Sequence, residues 1–310
     1  MHAAVVTAFD GPPRYQEFPD PHARSDDEQV VEVVAAGLHP RVRSQADGSH
    51  YTSTDELPLI PGIDGVVRGP DDRLRYVILE DTTRGTLAER TLLPRGRSIE
   101  LPAAVDPVRV AAAMNPAMSS WVALRRRIDF RPGQSVAILG ATGNAGRMAV
   151  QVAKWLGAAA VIGAGRDITA LEELRHLGAD EVVTLDQLGH AANVDVVIDY
   201  LWGEPAGTAM VDMITARAER SRPISWIQIG SVAGPTAPIA SAALRASCLQ
   251  VVGSGIGSVP GRDWLDELPQ LVAAIAAGEL DVRARAVPLA DVEEAWADAG
   301  DSRDRIVLVP

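Results

Sequence analysis

The stretch SVAILGATGNAGRMAVQVAKWL, residues 135–156, constrains the fold more than any other part of the chain. An apolar run ends at Leu139. Gly140, Gly143 and Gly146 follow with the spacing G-x-x-G-x-x-G, and an amphipathic run comes directly after them. That order predicts a strand, a tight turn and a helix. Small residues in such a turn let the backbone approach a pyrophosphate, whose charge the helix N-terminus favours. An ordinary strand-to-helix turn would share the glycines, so the context has to decide. Downstream, VIGA (161–164), EVVTL (181–185), DVVIDYL (195–201), ISWIQIG (224–230) and LQVVGSG (249–255) alternate with helical stretches such as ITALEELRHLG and PAGTAMVDMITARA. Continuous apolar strands separated by helices predict a parallel sheet of about six strands, covered on both faces.

In such a sheet, ligands lie beyond the carboxyl ends of the strands. Gly140, Thr142, Gly143, Asn144, Ala145 and Gly146 are therefore candidate cofactor contacts. Gly230 and Ser231 follow the fifth strand, and Gly253 and Ser254 the sixth, so they join the list. Gly165 stands 19 positions after Gly146, where an acidic residue would take a ribose 2′-hydroxyl, and Arg166 follows it. A missing carboxylate beside a guanidinium favours a 2′-phosphate, hence NADPH. Asp167 is open to two readings, a ribose ligand or the N-cap of the next helix.

The flanks differ from this middle. Residues 1–100 hold short β-rich runs between turn formers: AAVVTAF, QVVEVVAAGL, GVVRG, LRYVILE and LAERTLL. PVRVAAAMNPAMSSWVALRRRI reads as a helix that Pro116 kinks or breaks. WLDELPQLVAAIAAGEL is a helix, VRARAVP a strand, and Asp291 stands near the start of a further helix before the closing strand RIVLVP. A β-rich start, an α/β middle and a mixed tail imply that the tail rejoins the first domain.

Composition removes other classes. Lys154 is the only lysine, and Val150 stands where Tyr-x-x-x-Lys chemistry would need tyrosine. Lys154 itself reads as a solvated side chain. Cys248 is the only cysteine, so disulfide scaffolds, Cys₄ zinc lobes and Cys-x-x-Cys redox pairs are excluded. It is expected to be a buried, inert thiol. The net charge of −12 argues against nucleic acid as a partner. No run of 18 apolar residues suggests a membrane span, and no secretion signal is read at the start, so a cytoplasmic location is expected.

At this point the chain resembles the medium-chain dehydrogenase/reductase superfamily, and within it the zinc-free quinone oxidoreductase-like branch. AAGLHP (35–40), LPLIPGIDG (57–65), GTLAERTLLP (85–94), the run from Ser119 to Gly146, VDVVIDYLWGE (194–204) and RIVLVP carry the resemblance along nearly the whole length. It implies an α/β chain, with a GroES-like β-barrel catalytic domain and an inserted doubly wound Rossmann sheet. The expected division is 1–120 with 257–310 for the first, and 121–256 for the NADP-binding second. Zinc-dependent members hold the ion with Cys, His and Cys, with a Glu beside the His. Here those positions carry His39, Ile63 and Ala141, with Asp64 beside the second, so no metal is expected.

The resemblance also supplies the catalytic candidates. His39 takes the place of an asparagine common in the branch, and could donate a hydrogen bond or shuttle a proton. Tyr51 could polarise an acceptor oxygen. Ser119 matches a cofactor-contacting stretch. Trp121 and Trp202 could wall the cleft, though packing is the commoner use of tryptophan. The implied activity is NADPH-dependent reduction of a quinone, enone or similar small electrophile. A zinc-free alcohol or carbonyl oxidoreductase, or a non-catalytic NADPH-binding sensor or structural protein, are the alternatives. A homodimer through the edge strand LQVVGSGIGSV is expected.

Overall fold

The computed structural model describes residues 1–299 and 304–310. Two compact units emerge: Met1–Asn115 with Leu265–Pro310, and Pro116–Trp264.

The first unit begins with β1 (His2–Val5) and β2 (Arg14–Glu17), paired antiparallel. Next come β3 (Glu28–Gly37), α1 (Pro40–Ala46), β4 (Asp64–Arg68), β5 (Leu74–Ile78), β6 (Arg90–Pro94) and β7 (Ser98–Glu100). The long strand β3 organises the mixed sheet. Its residues Glu28–Glu32 pair with β6, and its Glu32–Ala35 segment pairs with β4. A register shift between Val33 and Ala35 bends the strand, and Ala36 and Gly37 then take the last strand of the chain as partner. Val31, Val33, Ile63, Val67, Val77 and Leu93 fill the core beneath.

Helix α2 (Pro107–Val122) runs through Pro116 without ending there. The sequence suggested a kink or break. Burial of Val110–Met114 on one side of the proline and of Met118, Trp121 and Val122 on the other outweighs the lost bond, a cost of about 3 kcal/mol. A single π-helical turn, Ala123–Arg127, closes the helix.

The second unit continues with β8 (Ser135–Leu139), α3 (Asn144–Trp155), β9 (Ala160–Gly165), α4 (Ile168–Glu172), β10 (Glu181–Thr184), β11 (Val196–Asp199), α5 (Gly203–Ala216), β12 (Ile224–Gln228), α6 (Ser241–Arg245) and β13 (Leu249–Gly253). Its six strands are all parallel, in the order β10-β9-β8-β11-β12-β13. The strand order reverses between β8 and β11, which makes the ends of those strands the switch point where ligands bind. The run ITALEELRHLG divides into α4 and a 3₁₀ turn, and Gly178 ends it at φ 106°. Lys154 is not simply solvated, because its Nζ lies 2.6 Å from Asp180 Oδ2. Cys248 is exposed rather than buried, since it sits in the turn ahead of the edge strand β13.

The tail holds α7 (Gly261–Ala276), β14 (Ala284–Pro288), α8 (Val292–Asp298) and β15 (Arg305–Val309). β15 pairs with β14 and with β3, so the tail does complete the first sheet. Among the described residues, no helix is long and apolar enough to cross a membrane.

Candidate cofactor and catalytic site

In the second unit the glycine turn leaves β8 at Gly140, with φ 79°. Gly140 and Ala141 both donate their N–H to Ala164 O at 3.0 Å, which ties the turn to β9. A Cβ on Gly146 would stand 2.3 Å from Gly140 O and 2.6 Å from Ala141 Cα. Helix α3 can therefore pack on the turn only with glycine there. Gly143 is different, since its Cβ would meet nothing nearer than Gly140 O at 3.6 Å. The protein's own packing does not demand that glycine, and the space beside it is free for a ligand. The first bond into the helix runs from Arg147 N–H to Gly143 O at 2.8 Å. The N–H groups of Asn144, Ala145 and Gly146 are thus the orphan donors of the helix N-terminus. Thr142 is half-buried, and its methyl faces Gly165, where a Cβ would approach it to 3.3 Å.

Beyond β9, Arg166 is exposed and has no hydrogen-bond partner among the described residues. Asp167 resolves to one of its two readings. Its Oδ1 accepts from Thr169 N–H at 2.9 Å and Ala170 N–H at 3.3 Å, so it caps α4. Oδ1 of the carboxylate is thus spent on the helix, and the guanidinium has no partner among the described residues.

Three further groups gather at the end of β11. Asp199 is fully buried. Its Oδ1 accepts from the N–H groups of Leu201 (2.8 Å) and Trp202 (3.0 Å), and its Oδ2 from Trp226 Nε1 (3.0 Å). Burial pushes its pKa up. These bonds hold Trp202 at φ 53°, ψ −155°, a backbone region kept almost wholly for glycine. Tyr200 follows Asp199, and its hydroxyl lies 2.9 Å from Ser119 Oγ. Ser119 donates to Pro116 O at 2.8 Å, so the phenol is the donor between the two. Burial raises Tyr200 to about 12, which keeps that proton in place. A Cβ on Gly230 would come within 2.6 Å of Tyr200 O, so Gly230 is fixed by this packing. Asp199 and Tyr200 did not emerge from the sequence. Their signal was the pair of polar residues ending an otherwise apolar strand.

The remaining candidates divide. Ser231 is exposed. Gly253 O accepts from Arg127 Nε at 2.8 Å, and Ser254 N–H donates to Gln228 O at 2.8 Å, so those backbone groups are already engaged. Trp121 is completely buried against Trp155, with ring centroids 4.9 Å apart, and belongs to the core.

In the first unit, His39 precedes α1 and is 2% exposed. Its Nε2 lies 2.7 Å from Asp64 Oδ1 on β4. Asp64 Oδ2 accepts from the Tyr76 hydroxyl of β5 at 2.6 Å, and Tyr76 is also buried. Arg305 of β15 donates to Leu38 O at 3.1 Å. Burial lowers the His39 pKa against the pull of Asp64, brings Arg305 down to about 10 and pushes Tyr76 well up. Tyr51 is placed quite differently. It lies on the loop after α1, is 78% exposed, and its ring stands 4.2 Å from that of His50. Nearby, Arg41 Nη2 donates to Thr52 Oγ1 at 2.8 Å and to Asp81. His39 and Tyr51 share no hydrogen bond among the described residues.

No family model matches the chain. A probable NADPH-dependent quinone reductase of Emericella nidulans is 31% identical over the whole of both chains. An NADPH-dependent alkenal/one oxidoreductase of Arabidopsis thaliana is 28% identical over 50% of this chain and 44% of its own. Among solved structures, the quinone oxidoreductase of Thermus thermophilus, determined also in complex with NADPH, superposes over all of both chains. Its TM-score is 0.84 and its identity 26%. Full-length identity at this level, the inserted six-stranded parallel sheet and the glycine turn at its switch point agree. The chain belongs to the quinone oxidoreductase-like branch of the medium-chain dehydrogenase/reductase superfamily.

Proposed function

We propose that this protein is an NADPH-dependent oxidoreductase that reduces a quinone, enone or similar small electrophile by hydride transfer. The observation that carries the cofactor choice is the free guanidinium of Arg166 beside Asp167, whose carboxylate is used as a helix cap. The glycine turn fits a dinucleotide, because space is left at Gly143 and the first-turn N–H groups of α3 are unspent. Gly140, Thr142, Gly143, Asn144, Ala145 and Gly146 would hold the pyrophosphate, and Gly165 and Arg166 the adenosine ribose with its 2′-phosphate. Ser119, Gly230, Ser231, Gly253 and Ser254 would line the nicotinamide end. When bound, NADPH supplies the hydride.

The chain's own groups do the rest. Fork-shaped Arg166 selects the phosphorylated ribose. Exposed Tyr51 donates a hydrogen bond to the acceptor oxygen as charge develops there, with the proton drawn from solvent. His39 is the second catalytic residue, fixed from behind by Asp64. The catalytic domain would comprise residues 1–120 and 257–310, and the cofactor domain 121–256. Zinc has no place in this scheme. Ile63 and Ala141 offer no ligand atom, and His39 Nε2 is engaged by Asp64. The edge strand β13 supports a homodimer formed through that edge.

The test is oxidation of NADPH and of NADH against a panel of quinones, enones and simple carbonyls, with deuterated cofactor to locate the transferred hydrogen. Turnover with NADPH on quinones or enones is expected. Preference for NADH, or binding without turnover on any acceptor, would overturn the proposal.

A further inference from the structure

Strand β11 ends in a carboxylate that solvent does not reach. Asp199 is completely buried, and its printed partners are all N–H groups: Leu201 at 2.8 Å and Trp202 at 3.0 Å on Oδ1, and Trp226 Nε1 at 3.0 Å on Oδ2. Burying a charge is costly, so asparagine would be the cheaper residue for a plain turn. Asparagine, however, carries two donors. In either orientation its NH₂ would face an N–H, the indole of Trp226 or the two backbone groups. Of the two residues, only aspartate accepts at both ends.

Those bonds hold two successive residues at positive φ, Trp202 at 53° and Gly203 at 65°. Glycine is at ease there and tryptophan is not. The turn is wedged between two loops of its own unit, and the cofactor site uses both. On one side is the glycine turn. A Cβ on Gly140 would stand 3.1 Å from Leu201 Cδ2 and 3.4 Å from Tyr200 Cβ, so those side chains pack directly on it. Gly140 O in turn accepts from Gly143 N–H at 3.2 Å, and the space beside Gly143 is the one proposed for the pyrophosphate. On the other side is the loop after β12, which carries Ser231. Ala233 N–H donates to Leu201 O at 2.8 Å, and a Cβ on Gly203 would stand 2.6 Å from Ala233 O.

We infer that Asp199 is a positioning residue for the dinucleotide: through Leu201 and Trp202 it holds the strained turn that sets the glycine loop on one side and the Ser231 loop on the other. The inference rests on the proposed NADPH site and adds a residue that acts on it from behind. Every residue invoked belongs to the unit Pro116–Trp264. Released from Asp199, Trp202 leaves positive φ, Leu201 moves off Gly140, and the donors of the glycine turn lose their alignment.

The experiment is fluorescence titration of the full chain with NADPH and with NADH, beside NMR titration with adenosine 2′-phosphate, which has no pyrophosphate. Asp199→Asn should weaken NADPH and NADH alike by about tenfold, the worth of one hydrogen bond. Adenosine 2′-phosphate should stay within about twofold, because Arg166 stands beyond β9 and not on this turn. A merely structural role would lower the melting temperature and leave the titrations of the folded protein unchanged, which overturns the inference. Equal weakening of all three ligands means a general loosening of the unit and overturns it too. Adding Trp202→Gly to Asp199→Asn should bring NADPH back to within about threefold of Trp202→Gly alone, since glycine keeps positive φ without an anchor. No recovery overturns the route through strain. Should Asp199→Asn fail to fold, Leu201→Ala carries the test. It keeps the anchor and removes the contact with Gly140, so it should weaken NADPH by about threefold and spare adenosine 2′-phosphate. Unchanged NADPH affinity in that variant overturns the inference. A wild type that binds no NADPH refutes the parent proposal and this one with it. A wild type that turns over NADPH, with an Asp199→Asn variant that binds it normally, refutes this inference alone.

Discussion

Gly143 and Gly146 belong to one motif, yet alanine should act on them in opposite ways. At Gly146 the new Cβ meets backbone: 2.3 Å from Gly140 O, 2.6 Å from Ala141 Cα and 2.8 Å from Ala141 C. No rotamer relieves a clash with main chain, so helix α3 must lift off β8. Overpacking of this kind costs about 1–3 kcal/mol, and here at least the upper figure applies. At Gly143 the nearest atom stands at 3.6 Å, and the backbone lies at φ −73°, ψ 164°, which alanine adopts freely. Alanine is a poorer N-cap than glycine by roughly 0.5–1 kcal/mol, while the stiffer unfolded chain returns about 0.4–1 kcal/mol. The net effect on folding is therefore close to zero. Binding is another matter, because the methyl would occupy the space proposed for the pyrophosphate. Losing one charge-assisted hydrogen bond, worth about 1.5–3 kcal/mol, weakens NADPH by about 10- to 100-fold. Thermal denaturation gives the first quantity and NADPH fluorescence titration the second. Gly146→Ala should unfold at clearly lower temperature. Gly143→Ala should melt with the wild type and bind NADPH poorly. An unstable Gly143→Ala, or one that binds NADPH normally, would refute the reasoning.

Other expectations follow from the same geometry. Arg166→Ala should weaken NADPH by about 10- to 100-fold and leave NADH within about twofold, as measured by titration with each cofactor, since only the 2′-phosphate loses a charge-assisted partner. Burial holds the His39 pKa below the ordinary histidine value of 6.5, so the unfolded chain binds more protons as the pH falls. Its contribution to stability should be fully present above pH 6.5 and lost on acidification, by at most about 1.4 kcal/mol per pH unit. Urea titrations of wild type and His39→Asn between about pH 5 and 8 should show a shallower dependence in the variant. At Trp202, whose φ of 53° suits glycine, Trp202→Gly should be more stable than Trp202→Ala by about 1–3 kcal/mol, the reverse of the usual order. Light scattering at micromolar concentration should report a dimer, and charged substitution of Val251 on β13 should dissociate it.

Much of the second unit was legible in the sequence because its determinants are local. Glycine spacing, an apolar strand before it and an amphipathic helix after it lie within 22 consecutive residues, 135–156. The alternation that followed was sufficient for six parallel strands, and even the edge position of LQVVG was readable. At Pro116 the helix does not break, because a proline's local penalty is visible in sequence, while the burial that outweighs it is not. Cys248 misled for a related reason: a thiol just ahead of an apolar strand reads as buried, while its actual exposure depends on the loop that carries it.

The sequence by itself determined the doubly wound sheet, the glycine turn, the preference for a phosphorylated cofactor expected from Arg166, and the exclusion of lysine- and cysteine-centred chemistry. Only the tertiary structure decided what the polar residues do. Asp167 became a cap through bonds to its own helix, and Asp199 became the anchor of a strained turn. His39 was joined to Asp64, 25 positions away, and to the field of Arg305 at the end of the chain. The physical reason is one of range. Turn and helix preferences are settled within a few residues. The protonation and hydrogen bonding of a buried side chain depend on which distant groups the sheet brings to it, and here β3, β4, β5 and β15 bring them together.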